Sequence, residues 1–179
     1  MNHLKGILEE LVNSSKNIED NTNIRSQISH SGKVFTYGLG RSGLVLQMFA
    51  MRLAQLGFNS HAVGEVTSTA INSQDLLILA SGSGNTAQVK IVASEAKKAG
   101  ASVFLITSNE KSEIGKIADE KVLIHSKSKY SNDNHLTNQP MGSLFEQILM
   151  LYLDSLVMDI MKKENIYESD MMDNHANLE

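Results

Sequence analysis

The sequence predicts an α/β fold with a doubly wound, parallel sheet. Three observations lead there. From Lys33 onward, short β-prone runs alternate with helical runs, the pattern of right-handed strand–helix–strand crossovers. The runs LLILA at 76–80 and VFLI at 103–106 are apolar throughout, as strands covered on both faces are. Two glycine–serine segments, GLGRSG at 38–43 and SGSGNT at 81–86, each follow a strand and open a helix.

Taken in order, residues 1–30 read as an N-terminal helical segment. Leu4, Ile7, Leu8, Leu11, Val12 and Ile18 recur at helical spacing and form one apolar face. The sheet core spans 33–125. Its expected strands are Lys33–Tyr37, Asn59–Val63, Leu76–Ala80, Ala101–Ile106 and Lys121–Ile124. The clearest helices are Gly43–Leu56 and Thr86–Ala99, with a shorter one at Ser112–Ala118. Gly57 and Gly100 stand just past the two longer helices, where a left-handed cap is expected. Residues 126–142 are polar and patternless up to the sole proline, Pro140, and read as a surface loop. Ser143 then opens a long helix to about Lys163, and the polar tail ESDMMDNHANLE completes 143–179 and by itself should fray.

The 179 residues and 19.6 kDa suit a single domain, 1–179, with a substantial core. Twenty acidic against 16 basic residues give a formal charge of −4, the wrong sign for a general nucleic-acid binder, so no nucleic-acid partner is expected. The absence of cysteine removes disulfides, thiolate catalysis and cysteine-ligated metals, and fits a reducing cytoplasm. The first 30 residues contain no apolar run of signal-peptide length. The most apolar long stretch, Leu144–Met161, carries Glu146, Asp154 and Asp159, so it reads as a buried or interface helix and not a membrane span.

The two loops carry the chemistry. GLGRSG matches the dinucleotide fingerprint through Gly38, Gly40 and Gly43, and Glu65 lies near where a ribose-binding carboxylate would be, so a nicotinamide dinucleotide site is one reading. It is not a Walker A loop, because Leu44 stands where lysine is required. In SGSGNT, Ser81, Ser83, Asn85 and Thr86 offer hydroxyl and amide groups, Gly82 and Gly84 let backbone approach a ligand, and the helix start favours an anion. A plain turn with an N-cap explains one such loop equally well. With strand order 2-1-3-4-5 both loops flank one crevice at the switch point, whereas order 3-2-1-4-5-6 leaves the second without a partner. The convergence favours a small phosphate ester held by hydroxyls and amides. Arg41 and Ser42 would join the binding set, with a surface ion pair as the other role for Arg41. No metal or organic cofactor is expected.

GLGRSG, SGSGNT, QPMGSLFEQ at 139–147 and the terminal HANLE at 175–179 together resemble the 6-phospho-3-hexuloisomerase family of SIS (sugar isomerase) domain proteins. FAMRL at 49–53 and VGE at 63–65 extend the resemblance over nearly the whole chain. Asn174 departs from it, standing where an arginine is expected, as does Asn85, where many relatives carry glutamate. The resemblance implies a five-stranded parallel sheet of order 2-1-3-4-5 flanked by helices, and a homotetramer. It also implies interconversion of D-arabino-3-hexulose 6-phosphate and D-fructose 6-phosphate in the ribulose monophosphate route of formaldehyde fixation. A sugar-phosphate-sensing SIS module and an arabinose 5-phosphate-type isomerase are the alternatives.

Moving a carbonyl from C3 to C2 needs a base that takes a proton from C2 and returns one to C3, and a group that exchanges protons on the oxygens. Glu146 is the candidate base. Its spacing from Ser143 also fits a capping box, and spacing alone favours the cap; the resemblance favours the base. His175 is the candidate for the oxygen protons, a role that only the resemblance gives to a histidine in a polar tail. Glu65 is a candidate contact for sugar hydroxyls, with a loop cap as the other reading. The remaining histidines show no metal-ligand spacing, and the methionines read as core and interface filler.

Overall fold

The computed structural model describes residues 2–18, 20, 22–126 and 137–178. Its elements are α1 (Asn2–Ser15), α2 (Ile24–His30), β1 (Val34–Gly38), α3 (Gly40–Gln55), β2 (Ser60–Ala62), β3 (Leu76–Ala80), α4 (Ala87–Lys98), β4 (Ser102–Thr107), a single 3₁₀ turn (Ile114–Lys116), β5 (Glu120–Leu123), α5 (Ser143–Glu164) and α6 (Glu168–Asp173). The five strands form one all-parallel sheet of order β2-β1-β3-β4-β5. This is the doubly wound order in which β1 and β3 are neighbours.

Strand alternation divides the core into two layers. Val34, Leu76, Ile78, Phe104 and Ile106 face α2, α3 and α5, meeting Ile28, Phe49, Leu53, Phe145 and Leu156. Phe35, Leu77, Leu79, Val103 and Leu105 face α4, meeting Val89, Ala93 and Ala96. All five residues of β3 are buried because helices cover both sides, which explains why LLILA has no polar position. Helix α5 is held by Leu149, Leu153, Leu156 and Ile160, each at most 2 % exposed. It ends with Lys162 and Lys163 in its last turn and Asn165 in the left-handed conformation. Gly57 and Gly100 also take positive φ, +88° and +84°, just past α3 and α4.

The structure differs from the sequence reading in three places. Two helices, α1 and α2, stand where one N-terminal helical segment is read; Ile24 and Ile28 of α2 are buried in the same cluster against which Leu11 of α1 packs. The segment 112–118 makes only a 3₁₀ turn, since the Ser112 hydroxyl accepts the Gly115 N–H at 3.0 Å and draws the chain tight. The tail is not frayed at 168–173. There α6 packs against α3, with Met171 on the core, and Asp170 accepts the Tyr167 N–H at 2.7 Å. Of the expected loop, residues 127–136 lie outside those described.

Candidate active site

A cavity of about 820 Å³ opens at the carboxyl ends of β1 and β3. Its walls are the first turn of α3 (Gly40–Ser42), the β3–α4 loop, the start of α4, and the segment Pro140–Ser143 with Phe145 and Glu146 of α5. Thus the N-termini of three helices meet around one space. Their N-cap residues are Leu39, Thr86 and Gly142, and none makes a side-chain capping bond. Neither α3 nor α4 has an acidic residue in its first turn. The first N–H groups of a helix have no intrahelical acceptor, so three uncapped starts make a strong anion site.

Glycine permits this geometry at two points. A Cβ on Gly43 would stand 2.5 Å from the Gly38 carbonyl oxygen, so only glycine lets α3 start so close to β1. Gly84 has φ +63°, and a Cβ there would meet Ser112 Cβ at 2.2 Å. Bonds within SGSGNT hold its shape. Ser81 Oγ lies 3.0 Å from Thr86 Oγ1 and accepts the Gly84 N–H at 3.1 Å. The Ser108 hydroxyl donates to the Gly82 carbonyl at 2.6 Å, and Asn109 Nδ2 to that of Ser83 at 2.9 Å. Asn85 Oδ1 accepts the Glu113 N–H at 2.9 Å, and Asn85 lines the cavity.

The capping box, the competing reading of the Ser143–Glu146 spacing, does not form. Gly142 is the N-cap, and the Ser143 hydroxyl donates to the Pro140 carbonyl at 2.8 Å. The Glu146 carboxylate instead accepts from Arg41 Nε across the cavity mouth. Arg41 is 66 % exposed and Glu146 only 17 %. The guanidinium can therefore swing to another anion at little cost, whereas the carboxylate is set in the wall.

Of the residues singled out from the sequence, Arg41, Ser42, Ser81, Gly82, Ser83, Asn85, Thr86 and Glu146 line this cavity. Gly84 lies behind it, packed on Ser112. Glu65 sits in the exposed turn after β2, outside the lining. His175 is exposed at the other end of α3, where the neighbouring Asn174 Nδ2 donates to the Gln55 carbonyl at 3.1 Å. The 16 residues of α3 span about 24 Å, so the tail stands a helix length from its own chain's cavity. The sequence reading missed Gln88, Met141 and Phe145 as lining residues. Only their nearness to glycine-rich helix starts could have pointed to them.

Residues 27–156 match the SIS domain family, well over half of the chain. The chain belongs to the SIS domain family. This SIS domain is 42 % identical over 176 residues to 3-hexulose-6-phosphate isomerase of Bacillus subtilis, covering 97 % of this chain and 95 % of that one. It is 37 % identical over 180 residues to the enzyme of the same name from Mycobacterium gastri, covering 99 % and 90 %. In three dimensions it matches the crystal structure of a hypothetical protein from Methanococcus jannaschii at a TM-score of 0.84, with 33 % identity and full coverage of both chains. That structure was reported as inferring a 3-hexulose-6-phosphate isomerase function. Vibrio vulnificus NanR complexed with ManNAc-6P shares the fold at a TM-score of 0.77 but only 18 % identity. Among the described residues of this SIS domain, no helix is long and apolar enough to cross a membrane.

Proposed function

We propose that this SIS domain is a phosphosugar isomerase that interconverts D-arabino-3-hexulose 6-phosphate and D-fructose 6-phosphate. The observation that carries the reading is the Glu146 carboxylate standing in the wall of the cavity that the two glycine–serine loops line. An anion-binding floor and a carboxylate in one space are what an enolising phosphosugar enzyme requires. The relatives named 3-hexulose-6-phosphate isomerase, which match nearly the full chain, supply the substrate.

In this reading the ester group lies among the starts of α3, α4 and α5, held by their N–H groups and by Ser42, Ser81, Ser83, Asn85 and Thr86. The dianion draws Arg41 toward itself, and this frees the Glu146 carboxylate. Glu146 removes the C2 proton of the 3-ketose, the electron pair forms a 2,3-enediolate, and the proton returns to C3. His175 from another copy of the chain exchanges the hydroxyl protons. Glu65, outside the cavity lining in this structure, keeps a sugar-contact role only if a neighbouring copy completes its surroundings.

Self-association is part of the same reading. Leu44, Met48 and Met51 form an exposed apolar stripe on α3, and Leu151 and Met158 another on the adjacent α5. Leu4, Leu8 and Val12 do the same on α1. Two or more such faces suit a closed homo-oligomer, and the count of four follows from the family resemblance. In the same reading the protein is cytoplasmic and works in the ribulose monophosphate route. A purely sensing role is less favoured, since a sensor has no need of a carboxylate set against the ligand.

The test is incubation with fructose 6-phosphate in D₂O, followed by NMR. A 3-ketose product and deuterium at C3 of recovered fructose 6-phosphate are expected. Exchange at C1 alone would assign an aldose–ketose isomerase instead. Absence of both the 3-ketose and any exchange would remove the enzyme reading.

A further inference from the structure

One wall of the cavity contains a strained turn. Met141 has φ +58°, a left-handed conformation that costs a non-glycine residue roughly 1–3 kcal/mol and persists only where the flanking chain is fixed. On its C-terminal side the turn runs directly into α5. On its N-terminal side the chain is fixed by one carboxylate, Glu10 of α1. Thr137 Oγ1 donates to Glu10 Oε2 at 2.6 Å, the Asn138 N–H to Oε1 at 2.9 Å, and Gln139 Nε2 to Oε2 at 3.0 Å. Thr137 and Gln139 are buried, 6 % and 9 % exposed, while Asn138 and the carboxylate of Glu10 stand nearer the surface. One helical turn further along α1, the Ser14 hydroxyl donates to the His125 carbonyl at 2.9 Å. A single helix thereby ties the chain at 125 and again at 137–139.

We infer that Glu10 is a positioning residue for the isomerase site: by gripping 137–139 it fixes the turn that presents the start of α5, and Glu146 with it, to the cavity. The inference rests on the isomerase reading for its kinetic consequence, though not for its structural one. None of the hydrogen bonds of Glu10 among the described residues reaches a lining residue. Glu10 acts on the three residues before Pro140, and Pro140–Ser143 transmit the effect. Carboxylate chemistry is required because all the groups that meet Glu10 are donors, and both oxygens of a carboxylate accept. Glutamine keeps one accepting oxygen and turns an NH₂ toward donors, so it only partly replaces glutamate.

The experiment compares wild type, Glu10→Ala, Glu10→Gln and Glu9→Ala, the last an exposed neighbour on α1. Steady-state kinetics on fructose 6-phosphate and amide hydrogen exchange are both measured. Glu10→Ala should lower kcat about tenfold or more, because misplacement of a reacting group by about 1 Å costs up to about a hundredfold. KM should rise by less than kcat falls, since the glycine–serine loops at the starts of α3 and α4 still hold the ester and only the start of α5 is loosened. Glu10→Gln should fall between, and Glu9→Ala should match wild type. Amides of 141–146, Pro140 having none, should exchange about tenfold faster in Glu10→Ala, with the starts of α3 and α4 unchanged. Wild-type kcat or unchanged exchange at 141–146 overturns the inference. If Glu10→Ala does not fold, Glu10→Gln decides by the same two readouts. If wild type itself does not isomerise the sugar, the functional reading fails, and the exchange data alone still decide whether Glu10 holds the turn.

Discussion

Glu146 stands at capping-box spacing from Ser143 and does not close the box. The carboxylate reaches away from its own helix to Arg41, 105 residues distant in sequence. Helix α5 therefore starts on glycine, a modest cap, and its carboxylate is held by Arg41 at the cavity mouth. Glu146→Gln removes the proposed base and the ion pair without removing bulk. We expect kcat to fall about a hundredfold to ten-thousandfold, the usual contribution of a positioned base. Because Arg41 is mostly exposed, the lost ion pair should cost stability less than about 1 kcal/mol. Urea denaturation run alongside kinetics checks both; turnover within about tenfold of wild type would remove Glu146 from the mechanism.

At the scale of elements, a second carboxylate joins the helices on one face of the sheet. Asp20 accepts from the Thr22 hydroxyl at 2.5 Å and the Tyr152 hydroxyl at 2.9 Å, and pairs with Arg25 at 3.0 Å. Arg25 also reaches Asp159, so the link before α2 is fastened to α5. Burial alone would raise the Asp20 pKa, but the bonds from Thr22 and Tyr152 and the Arg25 charge outweigh it and hold the carboxyl below its ordinary 3.8. Burial, and then the Asp20 charge, push the Tyr152 hydroxyl upward. A carboxyl lowered in the folded state stabilises above its unfolded value and loses that contribution as pH falls through the folded one. Asp20→Asn should therefore cost about 1–3 kcal/mol at neutral pH, with the gap from wild type closing below pH 3.8. Denaturation midpoints measured across that range test it; a gap independent of pH would mean the charge of Asp20 is irrelevant.

The same scale shows what could be read in advance. The β3 run LLILA, the paired glycine–serine loops and the left-handed glycines after α3 and α4 are local signals, and each appears where the pattern put it. The five strands were legible for that reason, whereas their order was inferred from the two loops sharing one crevice and from the family resemblance. Helix α2 was not legible, because seven residues with two buried isoleucines give too short a period to detect. Nor was the role of Glu10, which in sequence is one polar residue on the outer face of an amphipathic helix. Its partners lie more than 120 residues away, and nothing local marks them.

For the whole molecule, the place of the tail matters most. Helix α6 is anchored at the far end of α3, and His175 leads away from it, remote from the cavity of its own chain. A catalytic His175 must then serve a neighbouring copy. Glu146→Gln and His175→Ala proteins should each be nearly inactive, and mixing them after subunit exchange should restore a substantial part of the activity. Failure of mixed assemblies to regain turnover, with exchange verified by mass, would exclude supply of His175 between chains. Such sharing also makes output steeper than dose. A reaction centre assembled from two polypeptides disappears when they part, so flux per molecule would fall on dilution, and a cell making half as much protein would lose more than half of its capacity.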